Sequence, residues 1–512
     1  MKIFGWQTFY IISSFLAGFA VMTVELVAGR IVAPIIGSSV FTWTSVIGIT
    51  MLGLALGSYA GGKAADKTEW KNSLSLAFLA SSIFVSLIPT LSQNTDFITS
   101  SSDSILKLNL LLSFYLFLLP TLLIGLIQPI ILKKYAVDFS KIGSEYGILS
   151  FSWSLGGILG VFLTGFYFIS NIGSAETIWI MAIVLFLTGL VSTKDRKTLL
   201  IFILAVILIS AFIYAARQKT FSEKIVFEKE TDYYYARVID SPLPSYGNSR
   251  ILALDFDFHS IQTEQPTQDY PEMYPVFGKI KKDIKNILVI GAGAYTMPKY
   301  FKSYYKNSDV AVIEVDPEMI PIGENFFELD KYDIKTTVGD AKMVIKKSKE
   351  KYDVIFGDAF NSFISVPWYL LTKEWNDDVK ERLNNNGIYA VNFISSLSGK
   401  KSGFAKSVLK TFRLSFPNFY IFAFGENPEY VQNIVLVGVK GELPIDELAL
   451  AQSLSMEENS FLSNMIIPAE YFNDSSSITL TDNFSPVEKL MRPTVENYFP
   501  KHMFELNSIL TP

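Results

Sequence analysis

Seven long apolar stretches in the first 216 residues constrain this chain more than any other feature. They run over about residues 8–28, 39–60, 73–91, 107–132, 146–169, 175–192 and 198–216. A helix needs about 20 such residues to cross the hydrocarbon core of a bilayer. Beyond residue 216, charges and strand-like alternation take over. The pattern predicts a multi-pass transmembrane helical domain over 1–218, with the lipid bilayer as its partner, followed by a large soluble part. The first stretch is too long and glycine-rich for a cleaved leader, and no small-residue cleavage site follows it.

Lys and Arg in short loops orient such bundles. Alternate loops carry Lys63, Lys67 and Lys71, then Lys133, Lys134 and Lys141, then Lys194, Arg196 and Lys197, whereas the opposite loops offer little beyond Arg30 and Lys107. The N-terminus of this cell-membrane protein is therefore expected in the cytoplasm, and seven crossings put the soluble part outside. A miscounted last segment would reverse that side. Gly48, Gly53, Gly57, Gly61 and Gly62 recur at near-helical spacing, as close helix packing requires. Glu25 and Arg30 fall near one end of the first crossing, where pairing or snorkelling suffices to accommodate them.

Composition removes several function classes. A net charge of −5 with no basic cluster argues against nucleic acid. The chain has no cysteine, which excludes disulfides and thiolate chemistry. His259 and His502 are its only histidines, so no metal site is expected.

Residues 219–275 read as a small β subdomain: strands in IVFEKETDYYYARVID, a turn at SPLPSYGNS, then RILALDFDFHSI. From 276 to 445, short apolar runs alternate with amphipathic stretches, the pattern of an α/β doubly wound, Rossmann-like domain with a parallel sheet. Residues 446–512 form a polar C-terminal extension, expected to pack on it. Ligands of such sheets bind beyond the carboxyl ends of the strands. NILVIGAG brings Gly291 and Gly293 to that edge, VAVIEVD brings Glu314, IKTTVGDA brings Asp340 with Ala341, and YDVIFGDAF brings Asp358. Glycines allow close backbone approach, and a carboxylate about 20 residues after them suits two ribose hydroxyls. The series predicts a nucleoside site. A nicotinamide cofactor fits less well, because the third glycine of its fingerprint falls at Thr296.

These motifs together resemble the spermidine synthase (polyamine aminopropyltransferase) family, most closely its membrane-fused, multi-pass branch. ETDYYYARV, VIGAGAYTMPKYF, VIEVDPEMI, TVGDAKMVI, YDVIFGDAFNSFISVPWYLLTKEW and LTDNFSPVE occur in the family's order, and VELVAGRIVAPIIGSS and GLALGSYAGGKAADK resemble its membrane portion. The resemblance implies a class I methyltransferase-type fold. It also implies that Gly291, Gly293, Glu314, Asp340 and Ala341 hold decarboxylated S-adenosylmethionine or S-adenosylmethionine. Asp358 would be the catalytic acid that orients a small-molecule amine and helps to remove its proton; an ammonium cannot attack, so a carboxylate must take that proton. Tyr233, His259, Tyr270 and Asn361 are candidate substrate-binding residues, and a homo-oligomer through the soluble domain is a further expectation. Acidic positions of the soluble enzymes are neutral here, at Ala294, at Asn361 and at the Pro266–Thr267 pair. Asp255, Asp257 and Asp269 either compensate or are solvated charges. Two alternatives stay open: transfer of methyl or another alkyl group, and a transporter or sensor that binds a nucleoside or polyamine without turnover.

Overall fold

The computed structural model describes residues 2–67, 72–101, 104–136, 139–193, 224–243, 246–264, 267–359, 366–457, 459–468 and 477–496, with 195, 197, 200, 202 and 204 besides. They form two compact units: residues 1–223 with Glu230–Tyr235, and Lys224–Lys229 with Ala236–Pro512.

Six helices of the first unit are long and apolar enough to cross a membrane: α1 Gly5–Ile36, α2 Val40–Lys67, α3 Ser73–Ser92, α4 Ile105–Tyr135, α5 Ile142–Ile172 and α6 Ser174–Ser192. The expected count of seven is thus six among the described residues, and the stretch 198–216 lies for the most part outside them. Phe202 is described, and its ring sits 5.3 Å from that of Phe186 on α6. Three of the glycines bring backbones together. A Cβ at Gly53, Gly57 or Gly61 would come within 2.0–2.7 Å of Thr121, Leu122 or Leu126 on α4, whereas Gly48 and Gly62 face open space. One end of the unit gathers the start of α1 and the ends of α4 and α6 around a cavity of about 700 Å³, lined by Trp6, Asn72, Lys134, Ser192 and Asp195. Lys133 pairs with Asp66 at 3.1 Å. At the other end, Arg30 pairs with Glu230 at 3.3 Å and donates to the carbonyls of Thr231 and Tyr233. Glu230 in turn accepts from the Ser174 amide at 2.7 Å, capping the start of α6.

The second unit opens with a four-stranded sheet of order β1-β2-β3-β4, namely Ile225–Glu230, Tyr235–Leu243, Gly247–Leu254 and Asp257–Thr263. RILALDFDFHSI is not one strand: Asp255 turns the chain with φ +54°. Eight further strands follow, β5 Asn286–Ile290, β6 Asp309–Glu314, β7 Ile334–Val338, β8 Tyr352–Gly357, β9 Leu383–Ser395, β10 Phe419–Ala423, β11 Gln432–Val439 and β12 Ile466–Ile467. Their order is β12-β10-β11-β9-β8-β5-β6-β7. β7, β6, β5, β8 and β9 pair in parallel, while β11 runs antiparallel to both β9 and β10. The sheet is therefore mixed where the sequence pattern suggested a parallel one. An apolar run such as NIVLVGV reads the same in either direction, so its polarity is set by the short connection from β10. β8 is buried at every position, which places the strand carrying Asp358 at the centre of the core. In the C-terminal extension, Leu450 and Leu454 of the helix Glu447–Leu454 join this core, and β12 extends the sheet edge.

Candidate active site

The carboxyl ends of the parallel strands carry the polar residues. After β5, Gly291 and Gly293 take φ +91° and +50°. A Cβ at Gly291 would lie 2.4 Å from the Asp358 carbonyl oxygen, and one at Gly293 would lie 2.7 Å from the Ser260 hydroxyl. That hydroxyl accepts from the Ala294 amide at 2.9 Å, so β4 is pinned to the glycine turn. Glu314, at the end of β6, is buried, with one oxygen accepting from the Ala292 amide at 2.7 Å and the other from the Asp316 amide at 2.9 Å. Burial is the largest influence on its carboxyl and raises its pKa. Asp340 caps the helix Ala341–Lys347 by accepting from the Met343 amide at 2.9 Å, and Ala341 is buried beneath the cap.

Asp358 follows β8. Its Oδ1 accepts from Asn392 Nδ2 at 3.0 Å and its Oδ2 from the Tyr270 hydroxyl at 2.9 Å. Burial raises its pKa, against the lowering effects of Asn392, Tyr270 and the nearby His259. His259 lies on β4 with Nδ1 3.3 Å from the Asp257 carbonyl oxygen. Asp269 precedes Tyr270 and accepts from its amide at 2.7 Å. Burial first, and then the charges of Asp358 and Glu272, push its carboxyl up to about 6 against hydrogen bonds from Tyr270 and Asn433.

The structure thus brings Asp358, Tyr270 and His259 together at one edge of the sheet, with Gly291, Gly293, Glu314 and Asp340 on the neighbouring strand ends. Tyr233 belongs to the helical unit, where its carbonyl accepts from Arg30. Asn361 lies outside the described residues. Sequence reasoning missed Asn392 and Asn433. Asn392 had a signal, a polar side chain inside the apolar run GIYAVNFI, and such a group must find a hydrogen bond when buried. Among the described residues no group of three or more His, Cys, Asp or Glu side chains is placed to hold a metal ion.

A five-stranded parallel core, extended by a segment that includes the reversed strand β11, with glycine–carboxylate strand ends, defines a Rossmann-like domain of the methyltransferase type. Residues 269–447 match the family described as spermine/spermidine synthase domain. A polyamine aminopropyltransferase of Vibrio vulnificus is 29% identical over 219 residues, covering 40% of this chain and 70% of that protein. Polyamine aminopropyltransferase 2 of Aquifex aeolicus is 23% identical over 402 residues, covering 73% of this chain and 77% of the relative. The crystal structure of a probable spermidine synthase from Corynebacterium glutamicum aligns with a TM-score of 0.40 and 20% identity, over 51% of this chain and 97% of that one. The second unit thus carries a spermine/spermidine synthase domain, and the chain is an enzyme of the aminopropyltransferase type.

Proposed function

We propose that the protein is a membrane-anchored enzyme that moves an aminopropyl group from decarboxylated S-adenosylmethionine to a small amine. The observation that carries this reading is Asp358. It is a buried carboxylate held by Asn392 and Tyr270 on the strand next to the glycine turn. The residues fit an adenosyl group. Gly291 and Gly293 lack the Cβ that would crowd their turn. Glu314 is a buried carboxylate at the end of β6, next to the glycine turn, and accepts from the backbone amides of Ala292 and Asp316. Asp340 spends one oxygen on its helix cap and keeps the other for an amino group.

When bound, the sulfonium donor supplies an activated carbon and a thioether leaving group. Asp358 orients the neutral amine and accepts its proton as the carbon–nitrogen bond forms and the carbon–sulfur bond breaks. The test is acceptor-dependent thioether release by full-length protein, with decarboxylated or intact S-adenosylmethionine as donor. Release with the decarboxylated donor supports the proposal. Release with the intact donor alone would favour the methyl-transfer reading, for which the neutral, buried Ala294 speaks. No release with either would sink both.

For topology, we infer a cytoplasmic N-terminus and an external second unit. Arg30 near the end of α1, Ser174 at the start of α6 and the segment Glu230–Tyr235 meet at one end of the helical unit. Lys134 and Ser192 lie together at the cavity. A helix of 19 residues spans about 28 Å, so Ser192 and Ser174, whose amide bonds Glu230, lie at opposite ends of α6. The lysine-rich loops belong to the cytoplasmic side, which leaves Glu230 on the other.

A further inference from the structure

The helical unit holds one carboxylate that lies far from any span end. At about 1.5 Å per residue, Glu25 stands about 16 Å inside α1 from Ile36. No other Asp, Glu, Lys, Arg or His occurs in residues 40–62, 73–92, 108–132, 146–172 or 177–192, so the helices around it bring no charge to its level. Arg30 of α1 is spent elsewhere, on the Glu230 carboxylate and the carbonyls of Thr231 and Tyr233. Glu25 Oε2 is buried and has no hydrogen-bond partner among the described residues. The Thr50 hydroxyl of α2 lies in hydrogen-bond contact with the carboxyl group, yet it is also 3.0 Å from the Ile47 carbonyl oxygen, to which it donates. A hydroxyl has one proton to give. With that proton on Ile47, two oxygens face each other at Glu25 and Thr50. A positive species must join them, either a proton on the carboxyl or a cation between the two.

The layer around Glu25 departs from regular helix. α4 and α5 each contain a π turn, Phe114–Leu118 and Thr164–Phe168, and such turns recur at functional sites. Both are level with Glu25. A Cβ at Gly53, one turn from Thr50, would stand 2.9 Å from the carbonyl oxygen of Leu118, which closes the first π turn. Thr164 opens the second and bonds Thr23, two residues before Glu25, at 3.0 Å. The phenols at this level, Tyr115 and Tyr167, belong to the π turns themselves. Asn109 and Ser113 precede the first π turn, about 6 and 12 Å along α4 from Ile105. Both are fully buried, and Asn109 Oδ1 and Ser113 Oγ are unpartnered among the described residues. Polar oxygens therefore lead along α4 from its start towards this layer.

Charge and donor type select the occupant. One carboxylate neutralises one positive charge, whereas a divalent ion leaves a net charge in apolar surroundings, which is costly. Carboxylate, hydroxyl and carbonyl oxygens suit hard cations. Beyond the layer, α2 and α4 touch backbone to backbone at Gly57 and Gly61, which leaves little room for a bulky ion. We propose that Glu25, with Thr50, binds a small monovalent cation inside the helical unit in exchange for a proton: the neutral carboxyl releases its proton as an alkali cation takes the place between the two oxygens. The assignment is independent of the transferase reading and uses none of its residues.

The experiment is carbodiimide labelling of the full-length protein in detergent, read at the Glu25 peptide by mass spectrometry. Dicyclohexylcarbodiimide reacts with a protonated carboxyl shielded from water, whose O–H adds across one C=N bond, so the rate reports the neutral form. Sodium or potassium chloride, with choline chloride holding ionic strength constant, should slow labelling about tenfold at ten times the dissociation constant, the factor being 1 + [cation]/Kd. The slowing should deepen as pH rises. Thr50→Val should still label but lose the protection by salt, and Thr50→Ser should keep both. Protection by either alkali ion supports the proposal, and the stronger of the two identifies the ion. A Glu25 that fails to label in choline chloride at low pH, or that labels at one rate whatever the salt, overturns it. Should Thr50→Val not fold, the salt series on the unmodified protein decides by itself.

Discussion

Replacing Gly291 by alanine tests whether backbone closeness between β5 and β8 builds the site. Two costs add. At φ +91° a side chain meets its own backbone, and left-handed conformations cost L-residues about 1–2 kcal/mol. The new Cβ would also stand 2.4 Å from the Asp358 carbonyl oxygen and 3.0 Å from Ala359 Cα, where ordinary contact begins at 3.4 Å. Both neighbours are main chain, so neither can rotate aside. The chain at Asp358 must retreat by about 1 Å, the difference between those distances, and a misplacement of about 1 Å can cost a hundredfold in rate. The same movement stretches bonds of 2.9 and 3.0 Å from Tyr270 and Asn392 beyond hydrogen-bonding range. Gly293→Ala is the control. Its φ of +50° is the milder left-handed value, and its Cβ would meet a serine hydroxyl that can turn away. We expect Gly291→Ala to lose at least about a hundredfold in thioether release and about 2–4 kcal/mol of stability, the range for strained and overpacked substitutions. Gly293→Ala should lose about tenfold or less, and Ser260→Ala added to it should recover part of the loss. Methylthioadenosine binding by calorimetry, together with thermal unfolding, reads both variants. Equal damage from the two, or an active Gly291→Ala, would refute the reasoning.

Three other outcomes follow from the same geometry. Asp358→Asn should cut turnover by about 10²–10⁴-fold, the usual worth of a positioned general base, while methylthioadenosine still binds, because the glycine turn and Glu314 are untouched. Asp269, raised to about 6, holds a proton in the free site below that pH, and a bound cation favours its charged form. Affinity for 1,4-diaminobutane should therefore rise from pH 5 to 7, with about half a proton released at pH 6 and almost none at pH 8. Titrations in two buffers of different ionisation enthalpy measure that release, and a flat profile refutes it. In the cysteine-free chain, Asn385→Cys should react with an impermeant thiol reagent on intact cells, whereas Lys67→Cys should not; the reverse labelling overturns the external placement.

Much of the frame was legible because it follows from periodicity. Apolar runs near 20 residues gave the helices, and short apolar runs ending in glycine or carboxylate gave both the strands and the edge where ligands bind. Glu314 and Asp340 could be placed at that edge since each closes such a run. What periodicity does not carry is strand direction and tertiary burial. The direction of β11 decides whether Asn433 stands at the site or at the far edge, and nothing in NIVLVGV records it. Asp269 lies among polar residues in QTEQPTQD and reads as a solvated charge until Glu272 is seen to fold that loop inward. Tyr233, a candidate substrate-binding residue from the resemblance, lies in the segment whose carbonyls Arg30 holds in the helical unit. That partner is 203 residues away, beyond any local pattern.

The chemistry and the topology constrain each other through charge. A sulfonium nucleoside carries a permanent positive charge and a diamine carries two near neutral pH, and a charge at the bilayer centre costs at least about 2.5–3.5 kcal/mol. Neither ion crosses unaided. An external second unit therefore works only on donor delivered to its own side, while a cytoplasmic one draws on donor where it is made. Right-side-out vesicles separate these arrangements without reference to labelling. With the site external, thioether release follows donor added to the medium and is indifferent to donor sealed inside. With the site internal, the dependence reverses. Release from sealed donor that stops when Gly57→Leu forces α2 away from Leu122 of α4 would point to a third arrangement, in which the helices bring the donor to the site.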